Sequence, residues 1–149
     1  MELEARSIQL IHHRHGAMRL RLQEGSLTQL QALLNEHSFW ARGRSKRELK
    51  QMLKRSDAVV SAWKDSRLIG FGRATSDWSF RAALWDVVVA SDWQGHGLGK
   101  RLVEALLEDP ALVGVERIYL MTTNSGGFYE RFGFLAVKNQ QLMMRTHNE

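Results

Sequence analysis

The feature that most constrains this chain is an apolar run that leads through a glycine-rich turn into an amphipathic helix. The apolar run Leu84–Val89 lies within Ala82–Val89, which is apolar enough to form a central strand. Glycines follow at positions 95, 97 and 99, and apolar residues with helical spacing continue from Leu98 until Asp109-Pro110. Strand-like residues 115–122 come next. The pattern predicts a right-handed strand–helix–strand crossover with a parallel strand pair.

The residues before this unit predict two helices and a hairpin. Two Ser-x-x-Gln/Glu pairs, Ser26 with Gln29 and Ser45 with Glu48, have the spacing of capping boxes and mark two helix starts. The β-branched and aromatic residues on either side of Asp65-Ser66 indicate an antiparallel hairpin.

Weaker patterns complete the order of elements. The corresponding predictions are a strand or hairpin within residues 8–22, a short helix over 128–132 capped by Ser125 and ended by Gly133, and a last strand including Leu142–Met144. Together these patterns predict an α/β fold on one mixed sheet, with residues 1–149 forming a single domain.

Composition narrows the class of protein. The chain has 149 residues, 44% of them hydrophobic and 25% charged, as is ordinary for one globular domain. It has no cysteine, which excludes disulfides, thiolate zinc sites and a cysteine nucleophile. No apolar run approaches the roughly 20 residues of a membrane span, so we expect a cytoplasmic protein with no membrane partner.

The net charge of +5 is compatible with an anionic ligand. Part of the excess lies in the basic cluster, residues 42–47, which is best interpreted as a solvated loop and helix start. We therefore expect no nucleic-acid partner.

The glycine turn is suited to binding phosphate. Glycines allow close approach to the backbone, and a helix start offers unpaired N–H groups at the positive end of a dipole. The dinucleotide-binding pattern Gly-x-Gly-x-x-Gly fails because Lys100 stands where glycine is needed, and the P-loop spacing also fails. The pattern that fits is Gln94-x-x-Gly97-x-Gly99.

This pattern resembles the acetyl-coenzyme A signature of the GCN5-related N-acetyltransferases (GNAT), Arg/Gln-x-x-Gly-x-Gly/Ala. The resemblance implies a mostly antiparallel mixed sheet with about four helices, and acetyl-CoA held by turn amides and by the preceding strand. The implied cofactor-binding residues are Val87, Val88, Val89, Gln94, Gly95, His96, Gly97, Leu98, Gly99, Lys100, Asn124 and Tyr129. No metal is implied.

A second motif supports the resemblance. Phe128-Tyr-Glu-Arg-Phe-Gly-Phe134 is similar to the family's Phe-Tyr-x-x-x-Gly-Phe, whose tyrosine serves as general acid toward the thiolate. That residue is Tyr129 here, although its ring could equally pack in the core. The segments Leu68–Asp77 and Trp85–Val89 resemble the cyanobacterial and plant plastid branch, which includes enzymes described as serotonin and as protein lysine or N-terminal acetyltransferases.

The general base and the acceptor are less defined. Several relatives carry a glutamate on the cofactor-binding strand where this chain has Ala83, so the candidate base is Asp86, with a structural hydrogen bond or water-mediated proton loss as alternatives. Candidate acceptor-binding residues are Trp40, Asp77, Trp78 and Phe80, suited to an arylalkylamine or a lysine or N-terminal amine. A non-catalytic acetyl-CoA sensor or interaction module remains the alternative function, and a homodimer is left open.

Overall fold

The structure, a computed structural model, describes residues 7–13 and 24–147. The elements are β1 (Gln9–His13), α1 (Glu24–His37), α2 (Lys46–Arg55), β2 (Ala58–Lys64), β3 (Arg67–Ser76), β4 (Arg81–Val89), a 3₁₀ turn (Ser91–Trp93), α3 (Leu98–Glu108), β5 (Arg117–Tyr119) and α4 (Gly126–Glu130). Residues 14–22 of the predicted first strand or hairpin lie outside the described residues.

The five strands form one mixed sheet in the order β1-β2-β3-β4-β5. The first four are antiparallel neighbours, and β5 is parallel to β4 after the α3 crossover. The predicted α/β class and the crossover are confirmed. No helix in the described part of the chain has both the length and the apolar character that a membrane span requires.

The two faces of the sheet carry different helices. On one face α3 packs so closely that a Cβ added at Gly70 or Gly72 would lie 3.1 or 3.0 Å from a leucine of α3. Alternation places Phe71 and Arg73 of β3 on the opposite face, where α1 packs against β3 and β4. The buried core therefore lies in two layers, one on each side of the sheet.

The two helix-start predictions have different outcomes. Ser45 accepts from the Glu48 amide at 3.1 Å while the Glu48 carboxylate accepts from the Ser45 amide at 2.8 Å, so that capping box is confirmed. The other start is wrong because α1 already begins at Glu24. The Gln29 side chain bonds instead to the β2–β3 turn, through the Ser66 carbonyl and the Leu68 amide.

Three predictions near the end of the chain need correction. The strand β5 covers only three of the predicted residues 115–122. The short helix α4 begins two residues earlier than predicted, and the Ser125 side chain makes no capping hydrogen bond, although Gly133 does adopt the expected left-handed conformation with φ 88°. The predicted last strand at 142–144 is absent from the structure, where residues 135–147 form neither strand nor helix.

Candidate active site

The sheet opens between β4 and β5. Their ladder pairs only Arg81–Ala83 with Arg117–Tyr119, so within the described residues the main-chain groups of residues 84–89 on the β5 side have no strand partner. Such free donors and acceptors are costly unless water or a ligand satisfies them. The opening is therefore a place where an extended ligand can bind the edge of β4.

A β-bulge distorts β4 at the same level. Phe71 pairs with Val88 and Arg73 with Trp85, so Asp86 and Val87 together stand opposite Gly72. Asp86 adopts a left-handed conformation with φ 54°, which asparagine and aspartate tolerate better than most residues. Bulges of this kind redirect side chains and main-chain groups beside active sites. Here the bulge consists of Asp86 and Val87 and directly precedes Val88 and Val89.

The glycine turn presents bare backbone next to the opening. Gly95 and Gly97 have φ values of 81° and 76°, and a Cβ added at either would meet no atom within 4 Å. Gly97 is the N-cap of α3 and makes no side-chain capping bond, so the amides at the helix start, beginning with the buried Leu98, are not covered by a cap side chain. Open backbone at a helix start fits a phosphate group.

The side chains around the glycine turn mostly contact the turn itself or the neighbouring elements. Gln94 donates from Nε2 to the Val89 carbonyl at 3.2 Å, tying the turn to the end of β4. The His96 ring lies 5.5 Å from the Trp93 ring, and its Nδ1 is 3.1 Å from the Gln94 carbonyl. The Lys100 Nζ atom lies 3.6 Å from the Glu104 Oε1 atom on the surface of α3. Gly95 and Gly97 thus remain exposed within the turn.

Gly99 brings the second motif to the turn. A Cβ at Gly99 would lie 3.4 Å from the Phe128 ring and 3.9 Å from Val89, so the start of α3, the end of β4 and α4 meet at this point. Tyr129 follows Phe128 directly, with its ring 5.0 Å from that ring and 6.0 Å from Phe134. The structure therefore brings together the two motifs that the sequence separates by thirty residues.

The Tyr129 hydroxyl makes no hydrogen bond to any of the described residues. Its side chain is half-buried, and this burial raises its pKa above the ordinary value of 10.0. A tyrosine with a raised pKa carries its proton throughout the neutral range. Asn124, before α4, is exposed and accepts a hydrogen bond from Ser125 at 3.3 Å.

Asp86 is the centre of a buried charge cluster. Its Oδ1 accepts from the Trp40 indole at 3.0 Å, and its Oδ2 accepts from Arg44 at 3.0 Å and from Arg73 at 2.7 Å. The side chain is only 4% exposed. Burial by itself would raise the pKa of Asp86, but the charge and hydrogen bonds of Arg73 and Arg44 outweigh it and lower the pKa below 3.8.

The sequence-based interpretation missed both arginines. Arg44 belongs to the basic cluster, yet it is turned inward toward Asp86 rather than only solvated. Arg73 lies in a strand that is otherwise largely buried and apolar, and its own side chain is 16% exposed. A charge inside such a strand signals a buried partner, because Arg is almost never buried unpaired. That signal was available in the sequence.

The candidate acceptor residues lie on two loops, Trp40 on the α1–α2 loop and Asp77, Trp78 and Phe80 on the β3–β4 loop. Trp40 is tied to Asp86 while half of its surface remains exposed, and its ring packs edge-on against Phe39. Trp78 donates to Asp57 at 3.3 Å, and Phe80 is exposed. Asp77 Oδ1 accepts from the amides of Ser79, Phe80 and Arg81, and these bonds lower its pKa. Asp77 therefore shapes the loop that carries Trp78 and Phe80.

Comparison with known proteins identifies the family. The model of the Acetyltransferase (GNAT) family matches residues 27–134, so this chain belongs to the GNAT family. A crystal structure of an acetyltransferase of that family from Xanthomonas campestris superposes with a TM-score of 0.74 and 26% identity, covering 93% of this chain and 94% of that one. The fold expected from the resemblance is thereby confirmed.

Two curated relatives agree with the expected branch. The GCN5-related N-acetyltransferase 1, chloroplastic, of Arabidopsis thaliana is 37% identical over 81% of this chain and 62% of its own length. The uncharacterized N-acetyltransferase ycf52 of Pyropia yezoensis is 38% identical over 60% of this chain and 56% of its own length. The chain thus spans somewhat more than half the length of these relatives, and their names are consistent with the plant plastid branch.

Proposed function

We propose that this protein transfers the acetyl group of acetyl-CoA to a primary amine. The observation that carries the proposal is the convergence of three features at one place: the opened edge of β4, the uncapped start of α3 behind Gly95 and Gly97, and Tyr129. The fit of the cofactor is supported by the open space over both glycines, where a side chain would otherwise cover the backbone.

In this proposal the turn and the strand bind different parts of acetyl-CoA. The amides from Gly95 to Gly99, with His96, Leu98 and Lys100 nearby, hold the pyrophosphate at the positive end of α3. The main-chain groups on the β5 side of Val87, Val88 and Val89 hold the pantetheine arm and polarise the acetyl carbonyl, while the Val89 carbonyl also accepts from Gln94 and Asn124 touches the arm. When bound, acetyl-CoA supplies the activated thioester.

The transfer requires that the amine nitrogen loses one proton and that the departing sulfur gains one. The amine nitrogen bonds to the carbonyl carbon while the carbon–sulfur bond breaks, and the sulfur leaves with the electron pair of that bond. Tyr129 donates its phenolic proton to the sulfur; with its pKa raised by burial, the hydroxyl carries that proton at neutral pH, as this role requires. The phenol recovers a proton from solvent afterwards.

The proton of the amine leaves through water in this mechanism. Asp86 was the candidate base, but both of its oxygens accept hydrogen bonds and its pKa is lowered, so it is a weak proton acceptor. We propose that Asp86 instead acts as a positioning residue. It holds the bulge at Asp86 and Val87 and the loop that carries Trp40.

The acceptor in this proposal is an aromatic amine such as serotonin, or a lysine or N-terminal amine of a protein. Trp40 is hydrogen-bonded to Asp86 in the β4 bulge, and about half of its surface is exposed. An exposed aromatic ring at this place favours an acceptor that stacks on the ring or brings a cation to the face of the ring. Trp78 and Phe80, on the β3–β4 loop, would offer the acceptor further aromatic surface.

A second candidate function is a non-catalytic acetyl-CoA sensor. Ala83 occupies the position where several relatives carry a glutamate base, and Asp86 does not replace it. A sensor of this kind would bind acetyl-CoA at the same site, and Tyr129 would not act as a general acid.

The replacement Tyr129→Phe distinguishes the two functions. Acetyl-CoA consumption is first measured against arylalkylamines, polyamines, aminoglycosides, and peptides with lysine or free N-termini. With the best acceptor, we expect kcat to fall about a hundredfold in the variant, since general acids contribute 10²–10⁴-fold, while the Kd for acetyl-CoA is unchanged. Tyr119→Phe, at the only other tyrosine, is the matched control and keeps full activity.

Two results would contradict the proposal. An undiminished kcat in Tyr129→Phe would remove the assigned acid. A chain that binds acetyl-CoA but acetylates no member of the panel would be a sensor.

A further inference from the structure

The exposed side of α2 carries positive charge that has no counter-charge. Its exposed cations, which we call the basic face, are Lys46, Arg47, Lys50, Lys54 and Arg55. In the described part of the chain, none of the five makes a salt bridge or a side-chain hydrogen bond. The helix has one carboxylate, Glu48, which accepts from the Ser45 amide in the capping box. In α3, by contrast, Lys100 is paired with Glu104 one turn away.

This arrangement of charge does not stabilise α2. Lys46, Lys50 and Lys54 follow one another at i,i+4 spacing, where like charges repel. Lys46 also stands at the first helical position, where the helix dipole disfavours a cation. The opposite side of the helix is held in the core by Leu49 and Leu53, so packing does not require the cations. An anionic partner would supply the counter-charge that the basic face lacks.

Both ends of α2 are tied to the candidate acceptor residues. Just before the helix, Arg44 donates to Asp86 at 3.0 Å. The same carboxylate accepts from the Trp40 indole at 3.0 Å. Just after the helix, Asp57 accepts from the Trp78 indole at 3.3 Å. The helix therefore connects the two exposed tryptophans, and the basic face borders the surface on which we expect the acceptor.

We propose that the acceptor is a protein segment with acidic residues beside its reactive amine, and that the basic face of α2 binds those acidic residues. This inference rests on the proposed function and selects the protein amine among the acceptors named there. Lys46 and Lys54 are about 12 Å apart along the helix axis, a distance that about four residues of an extended peptide span. A small cationic amine without acidic neighbours is repelled by the same face.

Two other classes of anionic partner fit the basic face less well. A helix that binds a membrane surface inserts aromatic or large aliphatic side chains beside its cations. In α2, however, Leu49 and Leu53 are buried and Met52 is half-buried. A nucleic acid offers phosphates, but the proposed reaction consumes a nucleophilic amine, which a protein supplies at a lysine or at its N-terminus. An acidic protein segment therefore satisfies both the charge and the chemistry.

The test compares two short peptides of equal length, each with a free N-terminus and one lysine. In one peptide aspartate and glutamate flank the amines, and in the other asparagine and glutamine replace them. Fluorescence anisotropy measures binding, and release of coenzyme A measures acetylation. We expect the acidic peptide to have about a tenfold lower Kd and KM at the same kcat, the factor that three exposed ion pairs of modest strength provide. Added salt should reduce this difference.

Variants of the three lysines make the result specific. The triple variant Lys46→Gln, Lys50→Gln, Lys54→Gln retains good helix formers, so we expect a folded protein in which KM rises for the acidic peptide alone. Replacing the same three lysines by glutamate is expected to reverse the preference between the peptides. The matched control removes equal charge from exposed residues elsewhere and should keep the preference; its substitutions are Arg117→Gln, Lys138→Gln and Arg145→Gln.

The outcomes separate this inference from the proposed function. If both peptides are acetylated with equal KM, or if the preference persists in the glutamine triple variant, the inference is overturned and the proposed function stands. If the acidic peptide binds through the three lysines but no amine of any kind is acetylated, the proposed function fails and an acidic protein partner is still supported. Tighter lysine-dependent binding of single-stranded DNA or of phosphatidylserine vesicles than of the acidic peptide would overturn the choice of a protein.

Discussion

Asp86 occupies a left-handed backbone position and accepts hydrogen bonds from three residues on different parts of the chain. Arg44 and Trp40 come from the α1–α2 loop, and Arg73 comes from the neighbouring strand. A carboxylate held in this way fixes the position of the β4 bulge relative to the α1–α2 loop. Removing its charge leaves two arginines without their counterion.

We therefore expect Asp86→Asn to lower the free energy of unfolding by about 3 kcal/mol at neutral pH, the lower end of the cost of breaking a buried ion pair. Asparagine keeps the size and tolerates the left-handed conformation, so the variant removes mainly the charge. Urea unfolding measures the effect. Asp92→Asn, which breaks a half-exposed pair with Arg67, is the control and should change stability little.

The pH dependence of this effect has a definite sign. The pKa of Asp86 is lowered in the folded state, so its stabilisation is present above the ordinary value of 3.8 and is lost as the pH falls through the folded-state pKa. The gap between wild type and Asp86→Asn should therefore close in acid. An equal gap at neutral and acid pH would contradict the assigned charge cluster.

The residues of the site were predictable to different degrees. Tyr129 and the glycines could be named from the sequence because short motifs fix their spacing to the chain around them. The partners of Asp86 could not, because Arg44 and Arg73 are 42 and 13 residues away from it and meet only through tertiary packing. Asp77 looked like a free carboxylate, whereas three amides of its own loop bind it.

Among the elements, the turn between β4 and α3 has the most direct link to binding. Gly97 caps α3 with φ 76°, a conformation that costs an alanine about 1–2 kcal/mol. In the free variant Gly97→Ala the turn can relax to another conformation, so acetyl-CoA must restore the left-handed one on binding. We therefore expect roughly tenfold weaker binding, because 1.4 kcal/mol corresponds to a factor of ten. Isothermal titration calorimetry measures the change.

The control for this variant is Gly25→Ala in the exposed first turn of α1. Its added Cβ also meets no atom within 4 Å, but Gly25 has no positive φ. It should leave acetyl-CoA affinity unchanged and stabilise the protein by about 0.5–1 kcal/mol, since glycine is costly within a helix. Equal affinities for wild type and Gly97→Ala would show that the turn is not part of the site.

The helices and central strands were predictable because local signals and burial agree there. The Ser45 capping box, the Asp65-Ser66 turn and the apolar face of α3 each act within a few residues. The start of α1 was misplaced because Gln29 bonds across to the β2–β3 turn rather than to its own helix. The strand pattern around β5 and at 142–144 predicts pairing that the structure does not contain.

At the scale of the whole molecule, the sheet separates two groups of candidate residues. The face on which α3 packs carries the glycine turn, with Phe128 and Tyr129 beside it, and the face on which α1 packs carries Trp40 and the Asp86 cluster. The bulge in β4 lies between the two groups. In the proposed function, β4 would therefore bind the cofactor on one side and position the acceptor on the other.

In the proposed function, acetyl-CoA binds along the opened edge of β4 and at the start of α3. The decisive experiment is a crystal structure of the wild-type protein grown with acetyl-CoA. We expect the pyrophosphate on the amides of residues 95–99 and the pantetheine arm on the main chain of Val87–Val89. A cofactor bound elsewhere, or no cofactor in a crystal whose site is accessible to solvent, would contradict it.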